Sequence, residues 1–339
     1  MPQDAPALAS ADSRESGGDA YGVPARGAHA PAAGLRDNVG VNTAAAHAME
    51  STGSHPVLPI DFENGLALDP VVARAVGERS SADYCFAEPF PHIVFDNFLP
   101  APIARLALDH FPRHALSSDR VFDMGYAGLH KRQILPEECD AQVRQLFHFF
   151  NSRPVLEFLE GLTAIQGLIP DPYFVGGGYH ETGRGGKLGI HADFRINDQL
   201  HLHRRLNVIV YLNETWQPEW GGALELWDRD MKEKRREVMP VFNRCVIFNT
   251  DANSFHGHPD PLQVPEGVLR RSIALYYYTA SKEIYNEVPS TSTIYHARPG
   301  DDALTRREAR RLRVDQHLRQ WVPPALQRYV WAIRRRLSR

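Results

Sequence analysis

From Tyr173 onward the chain breaks into short apolar segments fenced by turn residues, and this texture restricts the fold more than any other feature. The segments are Tyr173–Tyr179, Leu206–Asn213, Ala223–Trp227, Arg244–Asn249 and Arg271–Thr279, each rich in β-branched and aromatic residues. Clusters of Gly, Pro, Asn and Asp separate them. Runs of this length and composition read as strands. Several in succession favour a sandwich or jelly roll over a parallel α/β sheet, which needs a long helical crossover between strands. Upstream, Pro89–Pro100 reads as a short strand ending in a turn. Ile103, Leu106, Ala107, His110 and Phe111 then recur on one helical face. Further helices are predicted over Glu138–Phe150 and Pro154–Leu162. Helices that precede a β-rich core point to an α+β protein with a helical layer packed on one face of a sheet.

The flanks differ from this core. Residues 1–58 are Ala-, Gly-, Pro- and Ser-rich with few large apolar side chains, so they cannot bury enough surface to offset the entropy of ordering and are expected to be disordered. The folded domain is expected over 59–295, followed by a basic helical tail over 296–339. Between Arg306 and Arg339 there are eleven arginines against only Glu308 and Asp315, and Leu326, Val330, Ile333 and Leu337 fall on one helical face. Such a helix can lie on an anionic membrane or on nucleic acid. It can equally dock its apolar stripe on the domain with its arginines solvated, the commoner arrangement. The formal net charge of −3 gives no reason to expect a nucleic-acid partner. Cys85, Cys139 and Cys245 are odd in number and widely spaced, which suits a reducing compartment. With no secretory leader or long apolar run at hand, the expected location is the cytoplasm.

The chemistry is carried by three features in chain order. A glycine-rich approach, Gly176-Gly177-Gly178-Tyr179 and the loop Gly183–Gly189, leads into His191-Ala192-Asp193. The apolar segment Arg244–Asn249 is followed by Ser254-Phe255-His256-Gly257-His258, and Arg270-Arg271-Ser272 opens the last aromatic segment. In an extended backbone, side chains two apart share a side, so His191 and Asp193 can act together. A distant strand must bring the third ligand, and His256 lies just past one, with His258 as competitor. Two histidines and one carboxylate on a face suit Fe(II) and leave positions open for exchangeable ligands. The His-x-Asp pair alone is weak, because sixteen histidines give about one such pair by chance, and the chain has a second in His258-Pro259-Asp260. That second pair sits in a proline-rich loop poorly matched to ligand-bearing strands. Alternation puts Arg270, Ser272, Ala274 and Tyr276 on one face of the last strand, where a charge, a hydroxyl and a small residue describe a carboxylate pocket. The bland alternative for Arg270-Arg271 is a solvated turn.

Taken together, these residues resemble the Fe(II)/2-oxoglutarate-dependent dioxygenases, and within them the prolyl 4-hydroxylase-like group. The resemblance spans roughly Pro89 to Ala280 and includes Gly221-Gly222-Ala223-Leu224-Glu225-Leu226. It implies a double-stranded β-helix (jelly-roll) core, iron held by His191, Asp193 and His256, and 2-oxoglutarate paired with Arg270 and Ser272. It also implies O₂ as cosubstrate, ascorbate as an accessory reductant, and hydroxylation of a C–H bond with release of succinate and CO₂. The family's cosubstrate tyrosine corresponds to Tyr179. The substrate would be an amino acid, a peptidyl (prolyl-type) residue or a small metabolite. A non-catalytic jelly-roll module tethered by the basic tail is the rival reading, against which the intact set of four site residues argues. Other candidates have ordinary explanations. His201 and His203 fit a surface loop or substrate mouth, Trp216, Trp220 and Trp227 fit packing, and Lys187 fits a solvated loop.

Overall fold

A computed structural model describes residues 55–117, 119–280 and 293–321, with side chains up to 316. The helices are α1 (Pro70–Arg79), α2 (Ser81–Cys85), α3 (Ala101–Asp109), α4 (Ala141–Phe150), α5 (Arg153–Thr163) and α6 (Ala303–Trp321). The strands are β1 (His92–Phe95), β2 (Arg120–Phe122), β3 (Leu129–Ile134), β4 (Ile169–Pro170), β5 (Gly178–Ala192), β6 (Ile196–Asn197), β7 (Leu202–Tyr211), β8 (Leu224–Trp227), β9 (Lys234–Val238), β10 (Cys245–Asn249), β11 (His256–His258), β12 (Arg270–Thr279) and β13 (Ile294–Tyr295).

All pairings are antiparallel and fall into two sheets that share β5. The first runs β2–β3–β5–β12–β7–β10–β1 and uses Gly178–Thr182 of β5. The second runs β9–β8–β11–β5–β13 and uses Leu188–Ala192 of the same strand. One long strand serving two facing sheets makes this a double-stranded β-helix, the expected α+β jelly roll.

Alternation assigns each strand of the first sheet two jobs. Tyr179 of β5, Leu206, Val208 and Val210 of β7, Cys245 and Ile247 of β10, and Ile273, Leu275 and Tyr277 of β12 join the main core with the helices. Tyr211 of β7 and Val246 and Phe248 of β10 point between the sheets and pack with Leu224 and Leu226. The helices begin at clear capping signals. Asp69 accepts from the amides of Val71 (2.7 Å) and Val72 (3.1 Å), with Pro70 opening α1, and Asp140 accepts from Val143 at the start of α4. α1 and α5 meet backbone to backbone. A Cβ on Gly77 would sit 2.2 Å from the Phe158 carbonyl oxygen, and one on Gly161 2.6 Å from that of Arg74.

Two local expectations change. Residues 173–177 form turns rather than a strand, and Gly183–Gly189 lies inside β5 rather than in a loop. Against β3, Leu129 pairs with Lys187 but Lys131 with Thr182, so two steps on β3 face five on β5. The surplus of three residues, absorbed where Gly185 adopts φ +72°, is an odd number and reverses the strand's in–out alternation. β2, β3, β9 and α1 had no counterpart in the sequence reading.

Of the expected disordered segment 1–58, residues 1–54 lie outside the described residues. Val57 and Leu58 donate to the carbonyls of Asn97 and Phe98, so the described fold starts slightly before the expected boundary. The apolar stripe of the tail, Leu326 to Leu337, also lies outside the described residues. α6 docks through buried Ala309 and through Glu308, which accepts from the Tyr126 amide at 3.1 Å, while Arg306, Arg307, Arg310 and Arg311 are exposed. No helix among the described residues is long and apolar enough to cross a membrane.

Candidate metal and cosubstrate site

Between the two sheets lies a cavity of about 200 Å³ whose lining includes His191, Asp193, His256, His258, Arg270 and Ser272. β11 brings the distal histidine alongside the first, since His256 is the cross-strand partner of His191. One ligand atom from each of His191, Asp193 and His256 lies within 4.8 Å of the others. His191 Nε2 is 3.7 Å from Asp193 Oδ1, and His256 Nε2 is 3.5 Å from Asp193 Oδ2.

The residues around this triad prepare it for a metal. His191 Nδ1 donates to the Gly189 carbonyl (2.8 Å) and His256 Nδ1 to that of Ser254 (2.9 Å). Both Nε2 atoms are therefore left as bare acceptors directed at one point. Burial lowers the pKa of each ring, that of His191 to about 3 with the neighbouring His256 adding to the effect, so both are neutral ligands near pH 7. Burial alone would raise the Asp193 carboxyl, but Arg204, the two histidines and Asn207 more than offset it and hold the group as a carboxylate. Arg204 Nη2 lies 3.1 Å and Asn207 Nδ2 2.7 Å from Asp193 Oδ2. The Arg204 guanidinium is itself held over the Tyr276 ring, its Cζ 3.5 Å from the ring centre. Two neutral imidazoles and a fixed carboxylate fit Fe(II).

The cavity's other end is cationic. Arg270 is 7% exposed, donates through Nε to the Gly222 carbonyl (2.7 Å) and through Nη2 to the Tyr211 hydroxyl (3.2 Å), and has no carboxylate partner among the described residues. Gly222, at φ +73°, lets its backbone reach the guanidinium, since a Cβ there would lie 3.2 Å from Arg270 Cδ and 2.4 Å from Leu262. Ser272, Ala274 and Tyr276 follow Arg270 on the cavity side of β12, and the arginine is buried rather than a solvated turn residue.

Tyr179 requires correction. Its side chain is fully buried on the helix side, its hydroxyl donates to the Ala107 carbonyl (2.8 Å), and its ring packs on Phe111 and Phe147. Counting by twos back from His191 reaches Tyr179, but the odd surplus in β5 turns it to the opposite face. Tyr211 of β7 is the tyrosine beside Arg270. His258 also faces the cavity, two residues past His256, but lies outside the three-ligand cluster. Its sequence partner Asp260 is engaged by Arg298 at 2.6 Å. His201, His203, Lys187 and the three tryptophans do not line the cavity. Trp216 and Trp220 pack together edge to face, and Trp227 joins a small apolar cluster with Ile190 and Phe255. The sequence reading missed Lys131, Gln133, His180, Arg204, Asn207 and Tyr211, all of which line the cavity.

Comparison with known proteins bears on the same segment. Residues 177–278 match the family model described as the 2OG-Fe(II) oxygenase superfamily, a span that contains His191, Asp193, His256 and Arg270. The segment that carries the converged triad and the buried arginine is thus the segment similar to that family. The chain is 26% identical over 206 residues to the mouse protein named Prolyl 3-hydroxylase OGFOD1, covering 57% of this chain and 34% of that one. It thus spans about a third of the length of this curated relative. Among solved structures it is similar to a Pseudomonas putida prolyl-4-hydroxylase (21% identity, 60% of this chain and 98% of that one, TM-score 0.44). It is also similar to a prolyl hydroxylase from Trichoplax adhaerens solved with a hypoxia inducible factor peptide fragment (17% identity, 61% and 91%, TM-score 0.41).

Proposed function

We propose that the chain is a dioxygenase that holds Fe(II) at His191, Asp193 and His256 and 2-oxoglutarate against Arg270, and that it hydroxylates a C–H bond of an amino-acid, peptidyl (prolyl-type) or small-metabolite substrate. The observation that carries this reading is the pairing, in one cavity, of a converged two-histidine, one-carboxylate cluster with a buried arginine that has no carboxylate partner among the described residues. When bound, iron and 2-oxoglutarate together supply the oxidising power from O₂, with succinate and CO₂ as co-products.

The chain's own residues do the positioning. Arg204 and Asn207 keep Asp193 ionised and fixed in orientation. Arg270, the Tyr211 hydroxyl and Ser272 offer donors to the distal carboxylate, and the guanidinium geometry selects a carboxylate over a neutral group. Ile209, Leu224, Phe194, Tyr276 and Tyr295 wall the cavity and limit water near the reacting atoms. The name of the mouse relative supports the prolyl-type option within the substrate range. Cys85, Cys139 and Cys245, all unpaired, support a cytoplasmic location, and ascorbate is the proposed accessory reductant.

The test is succinate formation. Purified, iron-loaded protein given 2-oxoglutarate and O₂ should release succinate slowly without substrate, with ascorbate prolonging turnover, and Asp193→Ala should release none. Wild-type protein that binds iron yet forms no succinate would instead be a jelly-roll binding module.

A further inference from the structure

The cavity holds one more cation than the chemistry so far uses. Lys131 on β3 and Arg270 on β12 are both cross-strand partners of Thr182 on β5, so the three stand in one row across the first sheet. With strands about 4.8 Å apart, the backbones of Lys131 and Arg270 are separated by about 10 Å, with Thr182 between them. All three residues line the cavity. The Lys131 ammonium lies 5.4 Å from the centre of the Phe122 ring, and among the described residues no carboxylate or hydrogen-bond acceptor holds it. Burial pulls its pKa down to about 8, with Asp193 opposing the shift and Arg270 adding to it. It therefore remains mostly a cation at neutral pH and senses both ends of the cavity.

Two like charges facing one low-dielectric space repel each other until an anion enters. Asp193, the one carboxylate in the lining among the described residues, is already engaged by Arg204 and Asn207. Arg270 spends Nε on the Gly222 carbonyl and Nη2 on the Tyr211 hydroxyl, so it leaves part of a carboxylate's acceptor capacity unmet.

We propose that Lys131 is a second cation for the cosubstrate, sharing the distal carboxylate of 2-oxoglutarate with Arg270 and so making the pocket selective for 2-oxo acids that carry that second carboxylate. The proposal rests on the oxygenase reading and deepens it. Lys131 is a positioning residue for the cosubstrate and takes no part in bond making. It is supplied by the β2–β3 hairpin, outside the segment 177–278 that carries the other site residues.

The experiment is an anaerobic titration of the Fe(II)-loaded full chain, wild type and Lys131→Met, followed by the metal-to-ligand charge-transfer band. Two ligands are compared, 2-oxoglutarate and 2-oxobutyrate, which keeps the chelating end but lacks the distal carboxylate. Lys131→Met should weaken 2-oxoglutarate by about tenfold or more and change 2-oxobutyrate by less than about twofold, and Lys131→Arg should recover most of the loss. The metal-free methionine variant should melt at the same temperature as wild type or higher, because a half-buried cation without an acidic partner among the described residues has been removed. Equal weakening of both acids, or unchanged 2-oxoglutarate affinity, would overturn the proposal. Should the methionine variant fold poorly, Lys131→Gln carries the same comparison. Absence of the band in wild type with either acid would instead remove the oxygenase reading on which this role stands.

Discussion

β12 sends Ile273, Leu275 and Tyr277 to the helices and Arg270, Ser272, Ala274 and Tyr276 to the cavity, and the two faces follow different rules. On the helix face, buried polar atoms of the core tyrosines are matched: the Tyr179 hydroxyl donates to Ala107 and the Tyr277 hydroxyl to Phe150. On the cavity face, Arg270 and Lys131 lack acidic partners among the described residues, and Gln133 Oε1, His180 Nδ1 and His258 Nδ1 are buried without a hydrogen bond. A buried polar group left unmatched costs stability. Gln133, His180 and His258, from both sheets, all line the cavity, and these unmatched groups mark a space that awaits a ligand. The same backbone thus holds a face built for stability and a face that gives up stability for binding.

Substitutions can break this contrast or sharpen it. The largest effect is expected from Phe147→Ala on the helix face, where the ring is fully buried and packs against Phe150, Phe174 and Tyr179. Denaturant unfolding should show a loss of about 3–5 kcal/mol. Any protein that still folds should keep its 2-oxoglutarate affinity. Next comes Arg204→Met on the cavity side, which leaves Asp193 with Asn207 as its remaining hydrogen-bonded support. Iron affinity, measured by metal competition, should fall by about 10–100-fold. A loss confined to stability would place Arg204 with the core instead.

The smallest and sharpest pair is Tyr179→Phe against Tyr211→Phe, the same atom removed from opposite faces. Tyr179→Phe orphans the Ala107 carbonyl and should cost about 1–2 kcal/mol of stability with no change in cosubstrate binding. Tyr211→Phe should weaken 2-oxoglutarate by a few-fold and move stability by less than about 0.5 kcal/mol. Reversal of the pair would mean that the two faces are wrongly assigned.

The reversal in β5 also explains what the sequence could and could not reveal. The apolar strands β7, β8, β10 and β12 and the helices α3, α4 and α5 announce themselves through periodicity. Arg270, Ser272 and Ala274 follow from simple alternation on β12. Asn207 and Tyr211 were within reach, since they break the apolar run of β7 at even spacing and share a face. Tyr179 was not, because the extra residues near Gly185 reverse the count from His191. Arg204 was hidden by a similar irregularity, where Tyr277 pairs with Leu206 but Tyr278 pairs with Arg204, skipping Arg205. Lys131 sits on β3, whose sequence Leu-His-Lys-Arg-Gln-Ile shows little apolar alternation, because its inward face is lined for a ligand rather than for a core. Irregular backbone and polar strands are legible only through the register with their neighbours.

The central claim is that His191, Asp193 and His256 bind one iron, with Arg270 placed for the cosubstrate's far end. Anaerobic addition of Fe(II) and then 2-oxoglutarate tests it directly through the charge-transfer band of the chelated iron. Wild type and His258→Ala should both develop the band, whereas His256→Ala should not. A band that survives loss of His256 but disappears with His258, or one that never forms in the wild type, would contradict it.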